Sequence, residues 1–219
     1  MLRPSSGAQR ASSQRSRRIV RHTVMTIALA AIATTIAAPS AAAATTPVAS
    51  GPDGTIQLTT TTIDRPWLSV ETFYLGLVNC TRTGGWVLSD GTCRGYGTGH
   101  YSAYVAPIIY NWGLSDKVAR PYAKLLAVKG LCTHTADGDP GYRLRRAGYM
   151  RWTWGENIGC RDGYSTAKAA VLASHLYFQS ERSTNGGHWR NIKNRAYHWI
   201  GIGIWRYGSR TRLVTDFYG

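Results

Sequence analysis

Trp154-Gly-Glu-Asn-Ile-Gly159 and Gly186-Gly-His-Trp-Arg-Asn-Ile192 are the two stretches whose reading decides the fold. The first offers a carboxylate, Glu156, in what its flanking glycines suggest is a turn. The second offers an imidazole, His188, directly after a Gly-Gly pair. His134 lies upstream in Cys-Thr-His-Thr, and Glu181 comes shortly before the Gly-Gly. Two histidines and two acids therefore occur in the order His, Glu, Glu, His, spread over 55 residues. Only tertiary structure can bring them together. Imidazole and carboxylate are ordinary ligands of Zn²⁺ and similar ions, and the same groups act as acid or base on a water.

Working outward, Trp67 to Asn79 places apolar residues at Val70, Phe73, Tyr74 and Leu77, the spacing of an amphipathic helix. From 84 to 99 the chain holds six glycines and little periodicity, which reads as a long loop or ribbon. Ser115 can cap a second helix with Val118, Tyr122, Leu125 and Leu126 on one face, and Pro121 kinks or delays it. Tyr142 to Met150 reads as a short basic helix. Ser165 is the expected cap of the clearest helix, Thr166 to about Ser180. Trp199-Ile-Gly-Ile-Gly-Ile-Trp205, a Gly208-Ser209 turn and Leu213 to Tyr218 read as a β-hairpin. Helices first, strands late and no βαβ rhythm give an α+β layered domain.

The first 44 residues carry Arg3, Arg10, Arg15, Arg17, Arg18 and Arg21 and no acid. An uncharged Ala/Ile/Thr-rich run follows, ending in Ser40-Ala-Ala-Ala-Ala44. These are the marks of a secretory signal peptide cleaved near Ala44, so residues 1–44 stand outside the fold. Residues 45–64 read as a flexible lead-in and 65–219 as the folded domain. After cleavage no stable membrane insertion is expected, and a secreted monomer is. Without the six leader arginines, 20 basic residues face 11 acidic ones, a balance of +9. That charge suits an anionic lipid surface or acidic envelope polymer. No nucleic-acid motif accompanies its only tight cluster, Arg143, Arg145 and Arg146. Four cysteines in an exported chain read as two disulfides among three pairings, and nearest neighbours give Cys80–Cys93 and Cys132–Cys160. Each would contribute roughly 3 kcal/mol by loop closure. The second would tie His134's segment to that of Glu156. His175 reads as a packed or surface histidine, and no serine sits in a Gly-x-Ser-x-Gly elbow.

The wording from about Glu71 to Phe217 resembles the CAP superfamily, secreted proteins also called SCP or cysteine-rich secretory domains. Gly155 to Ile158 and Gly187 to Ile192 carry the specific part of that likeness. The resemblance implies a three-layer α-β-α sandwich with a small antiparallel sheet, and a cleft lined by His134, Glu156, Glu181 and His188. It further implies extracellular location, a lipid or envelope ligand, and Zn²⁺ or another divalent cation on His134 and His188. Ligand binding without turnover is the favoured expectation. A metal-dependent hydrolase with Glu156 as general base is the rival. Two departures stand out: Glu181 precedes His188 by only seven residues, and Cys80 follows Asn79 where relatives often carry a polar residue.

Overall fold

A computed structural model describes residues 44–47, 58–61, 64–151 and 153–219. The expected signal peptide lies outside the described residues except for its last residue, Ala44. In chain order the elements are β1 (Ala44–Pro47), β2 (Leu58–Thr61), α1 (Leu68–Arg82), β3 (Trp86–Val87), β4 (Cys93–Arg94) and β5 (Ile109–Tyr110). Next come α2 (Trp112–Leu114), a π-helical turn over Ser115–Ala119, α3 (Arg120–Lys129), α4 (Pro140–Arg146) and β6 (Trp154–Asp162). The chain closes with α5 (Ala167–Ser180), a 3₁₀ turn over Glu181–Thr184, α6 (Gly187–Lys193), β7 (Trp199–Tyr207) and β8 (Arg210–Tyr218). No helix among the described residues is long and apolar enough to cross a membrane.

The central sheet runs β5-β7-β8-β6, antiparallel except for the β5–β7 pair. Alternation along β7 decides its two faces. Ile200, Ile202 and Ile204 are buried with Tyr74 and Leu77 of α1 and Val171 and Phe178 of α5. Gly201 and Gly203 point the other way, where backbone comes close. A Cβ on Gly203 would lie 2.2 Å from the carbonyl of Ala119, and one on Gly201 2.6 Å from Leu114 Cγ. The Ile-Gly-Ile-Gly-Ile run thus packs side chains on one face and lets α2 and the π-helical turn lie on the other. Val214 of β8 and Ile158 of β6 join Tyr122 and Leu126 of α3 on that second face. Helices on both faces of one small sheet make the expected α+β sandwich.

Local details depart from the sequence reading where side chains find other partners. The second helical segment begins before Ser115, at Trp112, because Asn111 Oδ1 accepts the N–H of Leu114 at 2.9 Å. Ser115 is buried instead, and its hydroxyl accepts the N–H of Ile202. Pro121 supplies no N–H for the helix ladder, and the turn before it widens, so that the N–H of Arg120 reaches back to the carbonyl of Ser115. Thr166, not Ser165, caps α5 by accepting the N–H of Ala169. Glu156 lies in the middle of strand β6, not in a turn. Its glycine neighbours serve packing: a Cβ on Gly159 would meet Ser174 Oγ at 2.5 Å. The basic helix closes at Arg146, short of Met150.

Both nearest-neighbour disulfides are present, Cys80–Cys93 and Cys132–Cys160. Arg82, two residues after Cys80, is 1% exposed and donates to the carbonyls of Ala106, Ile192, Asn194 and Tyr197. It joins the end of α1 to the segment that follows α6, and burial pulls its pKa down to about 10. His175 is wholly buried, the packed one of the two alternatives left open by the sequence, and paired with Thr81 Oγ1 at 2.9 Å.

Candidate ligand cleft

Glu156 faces the α3 side of the sheet, where a short loop brings His134 to it. Several contacts fix that loop. The Cys132–Cys160 bridge pins it to β6 with 6.0 Å between Cα atoms. The Tyr122 hydroxyl donates to the carbonyl of Thr133 at 2.6 Å and accepts the N–H of Ala136 at 3.0 Å. Arg143 donates to the carbonyls of His134 and Gly138, at 2.8 and 2.6 Å, with its guanidinium 3.5 Å above the Tyr122 ring. A further Arg143 nitrogen binds Glu156 Oε2, and Glu156 Oε1 lies 2.7 Å from His134 Nδ1. Both carboxylate oxygens are thus engaged. The Glu156 side chain is 1% exposed while that of His134 is 50% exposed.

Asp216 of β8 stands directly across from Glu156. It is fully buried, and neither of its oxygens has a hydrogen-bond partner among the described residues. Burial, then the Glu156 charge, raises its pKa well above the usual carboxyl range, against the pull of Arg143. The site therefore favours the uncharged form of the Asp216 carboxyl, while Arg143 bonds Glu156.

The second pair forms on the opposite face. Glu181 sits in the 3₁₀ turn that ends α5, and its carboxylate reaches over the start of α6. Oε2 accepts the N–H of His188 at 2.9 Å and Oε1 lies 2.7 Å from His188 Nδ1. Seven residues suffice because the acid caps the very helix that carries the histidine. Gly186 is required there, since a Cβ would fall 2.5 Å from Glu181 Oε2. Burial raises the Glu181 pKa, but the bonds to His188 and its charge win, and the net shift is downward. The His188 ring stacks on Phe178 at 4.2 Å between centroids. Asn191 donates to the Glu156 carbonyl and to Asn157 Oδ1, and Asn157 donates to the His188 carbonyl, so α6 is docked on β6.

The four residues therefore form two separate His–acid pairs on opposite faces of β6, the terminal strand of the sheet. Both imidazoles open on one cleft of about 320 Å³ that crosses the edge of that strand. Its lining includes Ile158, Cys160, Arg161 and Tyr177. With each Nδ1 held by a carboxylate, the Nε2 atoms have no partner among the described residues. A carboxylate on one nitrogen orients the other for a ligand. For a metal ion the cleft offers the two ring nitrogens and no third protein ligand among the described residues. Among the described residues no group of three or more His, Cys, Asp or Glu side chains is arranged to hold an ion. Both acids are spent on their histidines and both nearby cysteines are oxidised.

Sequence reasoning gave no site role to Tyr122, Arg143, Phe178, Asn191 or Asp216, although Tyr122 was placed on a helix face, Arg143 in a basic cluster and Asn191 within the Gly-Gly-His stretch. What puts Asp216 beside Glu156 is the β6–β8 register, for which the sequence carried no signal.

No family model and no curated protein matches this chain. Solved structures do. The extracellular SCP-domain protein from Bacillus anthracis str. Ames has a TM-score of 0.46 and 20% identity, covering 74% of this chain and 46% of that one. An outer surface protein from Borrelia burgdorferi has a TM-score of 0.50 and 15% identity over 70% and 94% of the two chains. NaASP2 with Zn²⁺ gives 0.44 and 15%, over 68% and 78%. The chain spans less than half the length of the Bacillus protein. Such likenesses concern the fold alone, and the helices on both faces of one small sheet form the α+β sandwich expected from the sequence.

Proposed function

We propose that the protein is an exported binding protein whose cleft holds a ligand between His134 and His188 without turning it over. One observation carries this reading: two imidazoles, each held through Nδ1 and without a partner at Nε2 among the described residues, line a common cleft. Export is supported by two disulfides, which persist in oxidising compartments. The hydrolase alternative asks Glu156 to take a proton from a cleft water. Its carboxylate is buried and both oxygens are occupied, so any proton must pass through His134. An anionic lipid or envelope component fits the +9 balance of the exported part, 20 basic against 11 acidic residues.

A second reading, a divalent ion shared by the two rings, is favoured by the carboxylate–imidazole pairing. Two protein nitrogens are fewer than the three ligands of a catalytic zinc site, so water or the ligand would complete the shell.

The test follows the ring resonances of His134 and His188 by NMR in the disulfide-intact protein. Anionic phospholipid vesicles, a soluble acidic envelope polymer, short peptides and Zn²⁺ are added in turn. Binding that shifts both rings, and is lost in His134→Ala/His188→Ala, supports the cleft. Rings unmoved by all four would sink the proposal. Hydrolysis abolished by Glu156→Gln with folding intact would favour the enzyme instead.

A further inference from the structure

Strand β6 ends the sheet, so among the described residues one side of its backbone has no neighbouring strand. The β6–β8 register shows which groups lie on that side. Just beyond the ends of the pair, Gly163 donates to the Ser209 carbonyl and Gly219 to the Thr153 carbonyl, both continuing the same register. The hydrogen-bonded positions of β6 are therefore the odd-numbered ones, since such pairs alternate in an antiparallel ladder. The even-numbered residues turn N–H and C=O outward. Glu156 agrees, because its carbonyl is met from outside by Asn191.

Asn191 closes the edge at Glu156. Beyond it the edge stays open along the floor of the cleft. The Ile158 N–H and C=O and the Cys160 N–H have no partner among the described residues, and the Cys160 carbonyl has only a long contact of 3.5 Å from Arg161. Unpaired strand edges are templates for another strand. Arg161 adds a charge preference. Its guanidinium lies 5.4 Å from the Tyr177 ring, its Nε is buried without a hydrogen-bond partner, and no acid pairs with it among the described residues.

From this edge we infer that the cleft's ligand is an extended peptide segment with an acidic side chain, added to the sheet as a strand beside β6. The inference rests on the cleft being a binding site. Main-chain bonds to Ile158 and Cys160 hold the segment. Its side chains alternate between the faces, so one set meets His134 and the next meets Arg161, Tyr177 and His188. The acid belongs to the second set.

The probes are two pools of acetylated, amidated hexapeptides, one with Glu and one with Lys fixed at a central position, added to the full disulfide-intact protein. In the free protein the amides of Ile158 and Cys160 should exchange with solvent much faster than those of Asn157, Gly159 and Arg161. The Glu pool should slow Ile158 and Cys160 selectively and bind more tightly than the Lys pool. Arg161→Gln should remove that preference while leaving the exchange pattern of the free protein. N-methylation at the central peptide bonds of the best Glu peptide should weaken it about tenfold or more, the effect of stranding one backbone acceptor. Equal binding of the N-methylated peptide would overturn strand addition. If neither pool binds while lipid, polymer or Zn²⁺ still shifts the rings of His134 and His188, the peptide inference falls and the cleft stands. If nothing shifts them, both fall.

Discussion

Asp216 and Glu156 form the most consequential pairing of single residues in the protein. Two carboxyls opposite each other on adjacent strands cannot both ionise cheaply in a buried site. Arg143 decides the contest, because it bonds Glu156 and leaves Asp216 without a partner. Asp216→Asn should therefore stabilise the protein at pH 7, because an amide has no carboxyl proton to lose in a buried site. Urea titration of both proteins checks this. Asp216 as damaging to replace as Glu156 would contradict it. Removing Arg143 has the opposite sense: Arg143→Ala leaves a buried charge unpaired, which costs about 3–5 kcal/mol, and frees the loop of His134. Loss of the His134 ring contacts at temperatures where the fold persists would be the NMR signature.

Among the elements, β7 shows most clearly how residue choice sets spacing. Gly203→Ala drives a methyl into backbone at the end of the π-helical turn, and overpacking of this kind costs about 1–3 kcal/mol. Gly201→Ala should cost less, because its nearest obstacle is the Leu114 side chain. Chemical denaturation of the two variants, expected in that order, tests whether the run is spaced for helix approach. Elements with a clean period were legible in the sequence: α1 through Val70, Phe73, Tyr74 and Leu77, and the β7–β8 hairpin through its alternation and Gly208-Ser209 turn. Strand β6 was not, because Gly155, Glu156, Asn157 and Gly159 offer no alternation of apolar residues. Its polar members are buried by partners, Arg143, His134 and Asn191, that arrive from distant segments. Helix α6 was hidden by its Gly-Gly start, and its cap comes from Glu181, back in the preceding turn. The four site residues were legible only through resemblance. Their division into two pairs on opposite faces needed the strand's register.

For the molecule as a whole, two buried groups tilt stability against pH in opposite directions. His175 lies wholly buried between α1 and α5, and burial pushes its pKa down to about 3. Unfolded, it takes up a proton near pH 6.5, so its contribution is complete above that pH and is lost as pH falls toward 3. Asp216, with its raised pKa, favours the folded state below the unfolded value of about 3.9, and that advantage fades as pH rises. The two effects overlap above about pH 4, so they must be separated by differences. The stability gap between the parent and His175→Gln should shrink by about 1.4 kcal/mol per unit as pH drops below 6.5. A gap independent of pH would show that His175 does not titrate on unfolding.

The bridge between Cys132 and Cys160 has a consequence for where this protein can work. It joins the wall bearing His134 to the strand on which a guest would lie, whereas the wall bearing His188 is held by Glu181, Asn157 and Asn191 without any sulfur. Thiol reduction would therefore slacken one jaw and leave the other set. Made in a reducing cytosol, the chain could carry a finished sheet and half a grip. Under the proposed function its grip would be looser before the bridge closes, with the Tyr122 and Arg143 hydrogen bonds left to hold the loop of His134.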